Sequence, residues 1–174
     1  MAGRARDFRE ARHRHYYPPA MLRLAVAQFK PGKGNYAENL GRIGGIFAAF
    51  ASRADAPELL VFPEAALTGY LLEGGVRELA VTAGTLFEDL LGQHERSLAP
   101  PLDVAIGFYE RWRGHLYNSA LYATLGGASA GVVHVHRKVF LPTYGLFDEE
   151  RFTESGLRVR ASDTWFGRMA IVIC

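Results

Sequence analysis

Apolar and polar positions along the chain change period several times, and each change marks an element. Residues 22–29 form a nearly continuous apolar run, which predicts a mostly buried strand that Pro31-Gly32-Lys33-Gly34 ends. Asn35 with Glu38 three residues on has the form of a helix start. Leu40, Ile43, Phe47 and Phe50 then follow at helical spacing on one face. Residues 59–62 read as a short apolar strand stopped by Pro63. Residues 76–96 predict one further helix, with Leu79, Ala83, Leu86 and Leu90 on its apolar side. From 103 to 109 the period falls to two, with Val104, Ile106 and Phe108 opposing Ala105, Gly107 and Tyr109. Residues 116–125 and 131–136 predict two strands of a hairpin around Gly126-Gly127. Residues 138–156 predict a loop, and 169–174 a last strand.

Composition narrows the class. At 174 residues, 49% hydrophobic and 22% charged, the chain has the make-up of one globular domain. No apolar run approaches the roughly 20 residues of a membrane span, and no secretory signal pattern opens the chain. A single cysteine, Cys174, excludes an internal disulfide and a cysteine-built metal cluster, which fits a reducing, cytoplasmic setting. Charge is uneven. Residues 1–19 carry five arginines against Asp7 and Glu10, a net +3, so the remainder of the +2 chain is at −1. A near-neutral body gives no electrostatic footprint for nucleic acid. Residues 1–20 therefore read as a basic, disordered arm ahead of a domain spanning 21–174. The chain stops inside the apolar run 169–174, which reads as the front part of a longer protein.

Three residues carry chemistry. Glu64 follows the strand 59–62, where partial desolvation would suit a carboxylate to proton transfer; a surface acid at a strand corner is the plainer alternative. Lys138 ends the strand 131–136 and could hold a developing negative charge or be an ordinary strand-end cation. Cys174 closes the last apolar run, as a nucleophile or as a small buried hydrophobe. Base, cation and thiol at three strand ends are the parts of a covalent acyl-transfer site, and only folding could join them. His134 and His136 share a strand face without a third ligand at useful spacing, so no metal is expected.

Phe62-Pro63-Glu64-Ala65-Ala66-Leu67-Thr68-Gly69-Tyr70 resembles the glutamate motif of the nitrilase superfamily of carbon–nitrogen hydrolases. Arg137-Lys138-Val139-Phe140-Leu141-Pro142 resembles its lysine motif, and Ile171-Val172-Ile173-Cys174 the approach to its nucleophile. Tyr117-Asn118-Ser119-Ala120 fits on an intervening strand. Leu141-Pro142-Thr143-Tyr144-Gly145-Leu146-Phe147-Asp148-Glu149-Glu150-Arg151-Phe152 is similar to the loop after the lysine in the glutaminase domains of glutamine-dependent NAD synthetases.

The resemblance implies an α/β fold, a four-layer α-β-β-α sandwich with its C-terminal part missing. It implies Glu64 as general base, Lys138 as oxyanion stabiliser and Cys174 as nucleophile, without a cofactor. Glu149, or its neighbour Glu150, would support the lysine, with a solvated acidic turn as the alternative reading. Tyr70 and Tyr144 would line a pocket for a small-molecule amide, plausibly glutamine, in a homo-oligomer with no nucleic-acid or membrane partner. A chain ending at Cys174 lacks the following backbone N–H of the oxyanion hole and is expected to be inactive by itself. A non-catalytic binding or assembly module is the competing reading.

Overall fold

The computed structural model describes residues 21–70, 75–145 and 148–174; the basic arm at 1–20 lies outside the described residues. A five-stranded mixed sheet runs in the order β1 (Leu24–Val26), β2 (Leu59–Val61), β3 (Leu102–Trp112), β4 (His115–Leu125), β5 (Gly131–Arg137). The first three strands are parallel and the last two antiparallel. Helices α1 (Tyr36–Phe50), α2 (Val76–Leu79) and α3 (Ala83–Ser97) intervene between the parallel strands, and a ribbon of β6 (Ala161–Thr164) and β7 (Gly167–Ala170) follows the sheet.

One face of the sheet carries the core. Ile43 and Phe47 of α1 and Leu86 and Leu90 of α3 are fully enclosed against Val104, Ile106, Phe108, Leu121, Ala123 and Leu125. These strand residues alternate, so their neighbours Ala105, Gly107, Asn118, Ala120 and Tyr122 point to the opposite face. The period-two reading of 103–109 holds, and so do the Asn35 cap, whose side chain accepts from Glu38 N, and the hairpin at Gly126-Gly127. The β3–β4 hairpin went unread: Arg113 and Gly114 form a two-residue turn with φ of 51° and 85°.

Three expectations change. The first strand is shorter than 22–29 and half open, with Leu24 51% and Val26 68% exposed, because it is the sheet edge and only Ala25 packs on the helical core. The single helix over 76–96 is two. Val81 bridges to β3, its N–H donating to Tyr109 O and its carbonyl accepting from Arg111 N. Thr82 then restarts the helix by accepting from Thr85 N. The last strand ends at Ala170 rather than 174 and is not buried, since β7 pairs with β6 and a two-stranded ribbon leaves alternate side chains in water.

Asn39, fully buried on α1, ties the helix to two loops. Its Oδ1 accepts from Gly32 N at 2.7 Å, and its Nδ2 donates to Gly32 O at 2.7 Å and Leu67 O at 2.9 Å. Asn39→Ala orphans these buried groups and is expected to cost about 2–4 kcal/mol, against about 1 kcal/mol for the exposed cap change Asn35→Ala. Urea midpoints of the two variants check the order, and equal midpoints would contradict it.

Candidate active site

β2 ends at Val61, and Pro63 turns the chain so that Glu64 leaves the sheet on the face away from α1 and α3. The turn is tight against β3: Gly107 N donates to Pro63 O and Ala66 N to Gly107 O. A Cβ at 107 would lie 2.6 Å from Glu64 Cα, so only glycine lets the two backbones approach this closely. Ala65, next to Glu64, takes φ of 51°, a strained conformation for a residue other than glycine, held by the Gly69 N–H donating to Ala65 O.

Lys138 arrives from the end of β5 and is fully buried. Its backbone is pinned on both sides, by its N–H donating to Asn118 O and its carbonyl accepting from Gly156 N. The ammonium donates to Glu64 Oε1 at 2.9 Å and to Glu149 Oε1 at 3.0 Å. Asn118 Nδ2 donates to the same Glu64 oxygen at 2.6 Å. One cation therefore sits between two carboxylates, which leaves the trio one negative charge in excess if both are ionised. Burial, reinforced by the Glu64 charge, pushes the Glu149 carboxyl up to about 7. The Tyr109 hydroxyl, raised to about 12 by burial and then by Glu64, stays protonated beside it.

Glu149 opens a short 3-10 turn, Glu149–Arg151, inside the loop 138–156. The alternatives for this acidic pair divide between its members: Glu149 is 8% exposed and bound to Lys138, whereas Glu150 faces solvent. Thr153 holds the turn by donating from its N–H and Oγ1 to Glu149 O.

Cys174 is exposed, contrary to its expected place at the end of a buried strand, because the chain leaves regular pairing at Ala170. Residues Ile171 to Cys174 nevertheless run past the site, lining a cleft of ≈ 260 Å³ with Glu64, Ala105, Gly107 and Ala120. A larger adjoining cleft of ≈ 560 Å³ joins Glu64, Cys174, Tyr70 and Tyr144 through an apolar wall of Phe140, Leu141 and Pro142. Among the described residues the Cys174 sulfur makes no hydrogen bond to Glu64 or Lys138. The structure thus joins Glu64, Lys138 and Glu149 by direct bonds. It brings Cys174, Tyr70 and Tyr144 to the same cleft.

Two neighbours of the site were not singled out from the sequence. In the sequence Asn118 carries no signal beyond its strand motif, and its position opposite Tyr109 in the β3–β4 register is what aims it at Glu64. Arg137 shows in the sequence only as the residue before Lys138. It donates twice to buried Glu110, at 2.7 Å each, and stacks 3.9 Å from the Trp112 ring centroid, so Arg137 at the end of β5 and Lys138 just after it anchor opposite faces. His134 and His136 lie on the site's side of β5, and among the described residues no group of three or more His, Cys, Asp or Glu could hold a metal ion.

A mixed parallel and antiparallel sheet, with a buried lysine at one strand end held between a glutamate after β2 and a glutamate of the following loop, defines an α/β protein with a charged cluster on one cleft. Residues 23–174 match the family described as carbon–nitrogen hydrolase, and the chain belongs to that family. Glutamine-dependent NAD(+) synthetase of Thermotoga maritima is 30% identical over 154 residues, 88% of this chain and 25% of that protein. The structure of glutamine-dependent NAD+ synthetase from Acinetobacter baumannii aligns at TM-score 0.69 and 27% identity over 88% of this chain and 27% of that one. Saccharomyces cerevisiae Nit3, a nitrilase-superfamily member, aligns at TM-score 0.68 and 18% identity over 88% of this chain and 55% of its own, a likeness of fold. The chain spans about a quarter of the length of the synthetases it matches. Among the described residues no helix is long and apolar enough to cross a membrane.

The raised Glu149 value has a stability consequence. A carboxyl that titrates near 7 folded and near 4.5 unfolded favours the folded state while protonated. That contribution is complete below about pH 4.5 and is lost as pH rises through about 7. Urea midpoints from pH 4 to 8 are expected to fall across this window, and to fall less in Glu149→Gln. Parallel curves for the two proteins would contradict the assignment.

Proposed function

We propose that this chain carries the catalytic residues of a cysteine amidohydrolase that cleaves a non-peptide amide C–N bond, with glutamine as the ammonia source. The observation that carries the reading is Lys138, fully buried and shared by Glu64 at 2.9 Å and Glu149 at 3.0 Å on a cleft that also holds Cys174. The names of the synthetase relatives support glutamine in particular.

On this reading Glu64 takes the Cys174 thiol proton, and the sulfur attacks the amide carbon to give a tetrahedral oxyanion. The Lys138 ammonium, already desolvated and fixed, stabilises that oxyanion. The proton returns through Glu64 to the departing ammonia, leaving a thioester on Cys174 that water, deprotonated by Glu64, hydrolyses. Glu149 holds Lys138 from the far side of Glu64, and its own proton removes the excess charge that would otherwise compete for the ammonium. Tyr70 and Tyr144 flank the entrance for the amide's acyl part. For the 174-residue chain on its own we propose no turnover, since its exposed thiol sits on a segment that, among the described residues, has no strand partner beyond Ala170.

Ammonia release from glutamine is the test, run on the protein expressed from its natural reading frame and on the 174-residue chain. The natural product is expected to release ammonia, with Cys174→Ala abolishing it. Glu64→Gln and Lys138→Met are each expected to lower the rate by about 10²–10⁴. Turnover that persists in Cys174→Ala would overturn the mechanism, and Cys174-dependent turnover by the 174-residue chain would overturn the proposal made for it.

A further inference from the structure

A second cleft, of ≈ 470 Å³, shares no lining residue with those at Glu64. It lies along β5, the last strand in the sheet order, where residues 154–160 pass beside it. Arg158 and Arg160 stand two residues apart in the non-helical lead-in to β6; both line the cleft, and Val159 between them does not. Neither guanidinium has a hydrogen-bond or ion-pair partner among the described residues.

The other charges of the cleft are already matched. Arg137 is paired with Glu110, and Glu154, the acid of the lining, is bound to His115. On the strand side His136 is 2% exposed, and both its ring nitrogens are buried without a partner, as is His134 Nε2. Burial and the Arg160 charge hold His134 below its ordinary pKa, and burial and His134 do the same to His136. Each ring is then neutral near pH 7, with one N–H to donate.

Two guanidiniums without a partner among the described residues, in a cleft that His134 and His136 also line with three unpartnered buried ring nitrogens, form a site short of one acceptor-rich group. Water satisfies imidazoles but supplies no counter-charge to the two guanidiniums. We propose that this cleft binds the anionic group of a small molecule, a phosphate or a carboxylate, with Arg158 and Arg160 supplying the charge and His134 and His136 donating ring N–H groups. Planar guanidiniums suit either anion through paired hydrogen bonds.

The experiment titrates the protein with inorganic phosphate and, separately, with succinate, against chloride at matched ionic strength. Calorimetry and the histidine ring-proton NMR signals are the two readouts. Saturable binding of either anion is expected, with two histidine signals moving, and the tighter anion names the chemical source. Arg158→Gln and Arg160→Gln, both at exposed positions, are each expected to weaken binding by about ten- to a hundredfold. His136→Phe is a harsher variant because the ring is enclosed, so the arginine variants decide the matter. Responses that follow ionic strength alone, or that are equal in the arginine variants and the parent, would overturn the proposal.

Discussion

An ammonium with no access to water has to be held by oxygen atoms that the fold supplies, and Lys138 sets that constraint for the whole molecule. Removing one partner of such a buried pair costs about 3–5 kcal/mol, because the remaining charge has nothing to replace it. Its partners come from separate parts of the chain: Glu64 after β2, Glu149 from the loop after β5, and Asn118 of β4 fastening the Glu64 carboxylate. Every element between residues 59 and 149 has to be in register before this cluster closes. The cluster is therefore a check on the fold as well as a piece of chemistry. Its charge balance depends on the Glu149 proton, which ties geometry to pH near neutrality.

The sheet divides labour between its faces. Toward α1 and α3 it presents aliphatic and aromatic side chains that exclude water. The far face keeps small or polar residues, Ala105, Gly107, Asn118 and Ala120, and this leaves room for the Glu64 turn and for residues Ile171 to Cys174. β5 expresses the division within two residues. Arg137 locks to Glu110 and Trp112 on one side, while Lys138 turns to the carboxylates on the other. A strand end pinned on both sides by backbone hydrogen bonds holds this cation in place, as the proposed oxyanion role would require. The lead-in to β6, whose Arg158 and Arg160 have no partner among the described residues, passes beside the same strand and lines the proposed anion cleft with it.

Membership of the carbon–nitrogen hydrolase family and the nitrilase-type fold agree with this arrangement. The chain's share of the synthetases it matches is about a quarter of their length.

Local patterning determined much of this protein. Period-two alternation at 103–109, the Asn35 cap with its stripe of Ile43 and Phe47, and the Gly126-Gly127 hairpin are all decided by neighbours within a few residues. The motifs around Glu64, Lys138 and Cys174 were legible through their resemblance to those of the nitrilase superfamily, since each residue alone also fitted an ordinary structural role. What crossed between elements was not visible. Val81 broke a helix because β3 offered unpaired backbone there, and β1 stood half open because it fell at the sheet edge. Glu149 and Glu150 are neighbouring acids of one loop, yet the first binds a buried lysine and the second faces water. Periodicity reports which side of an element is apolar; which atoms meet there, and how far a carboxylate is from a cation, is settled only when distant segments pack and water leaves between them.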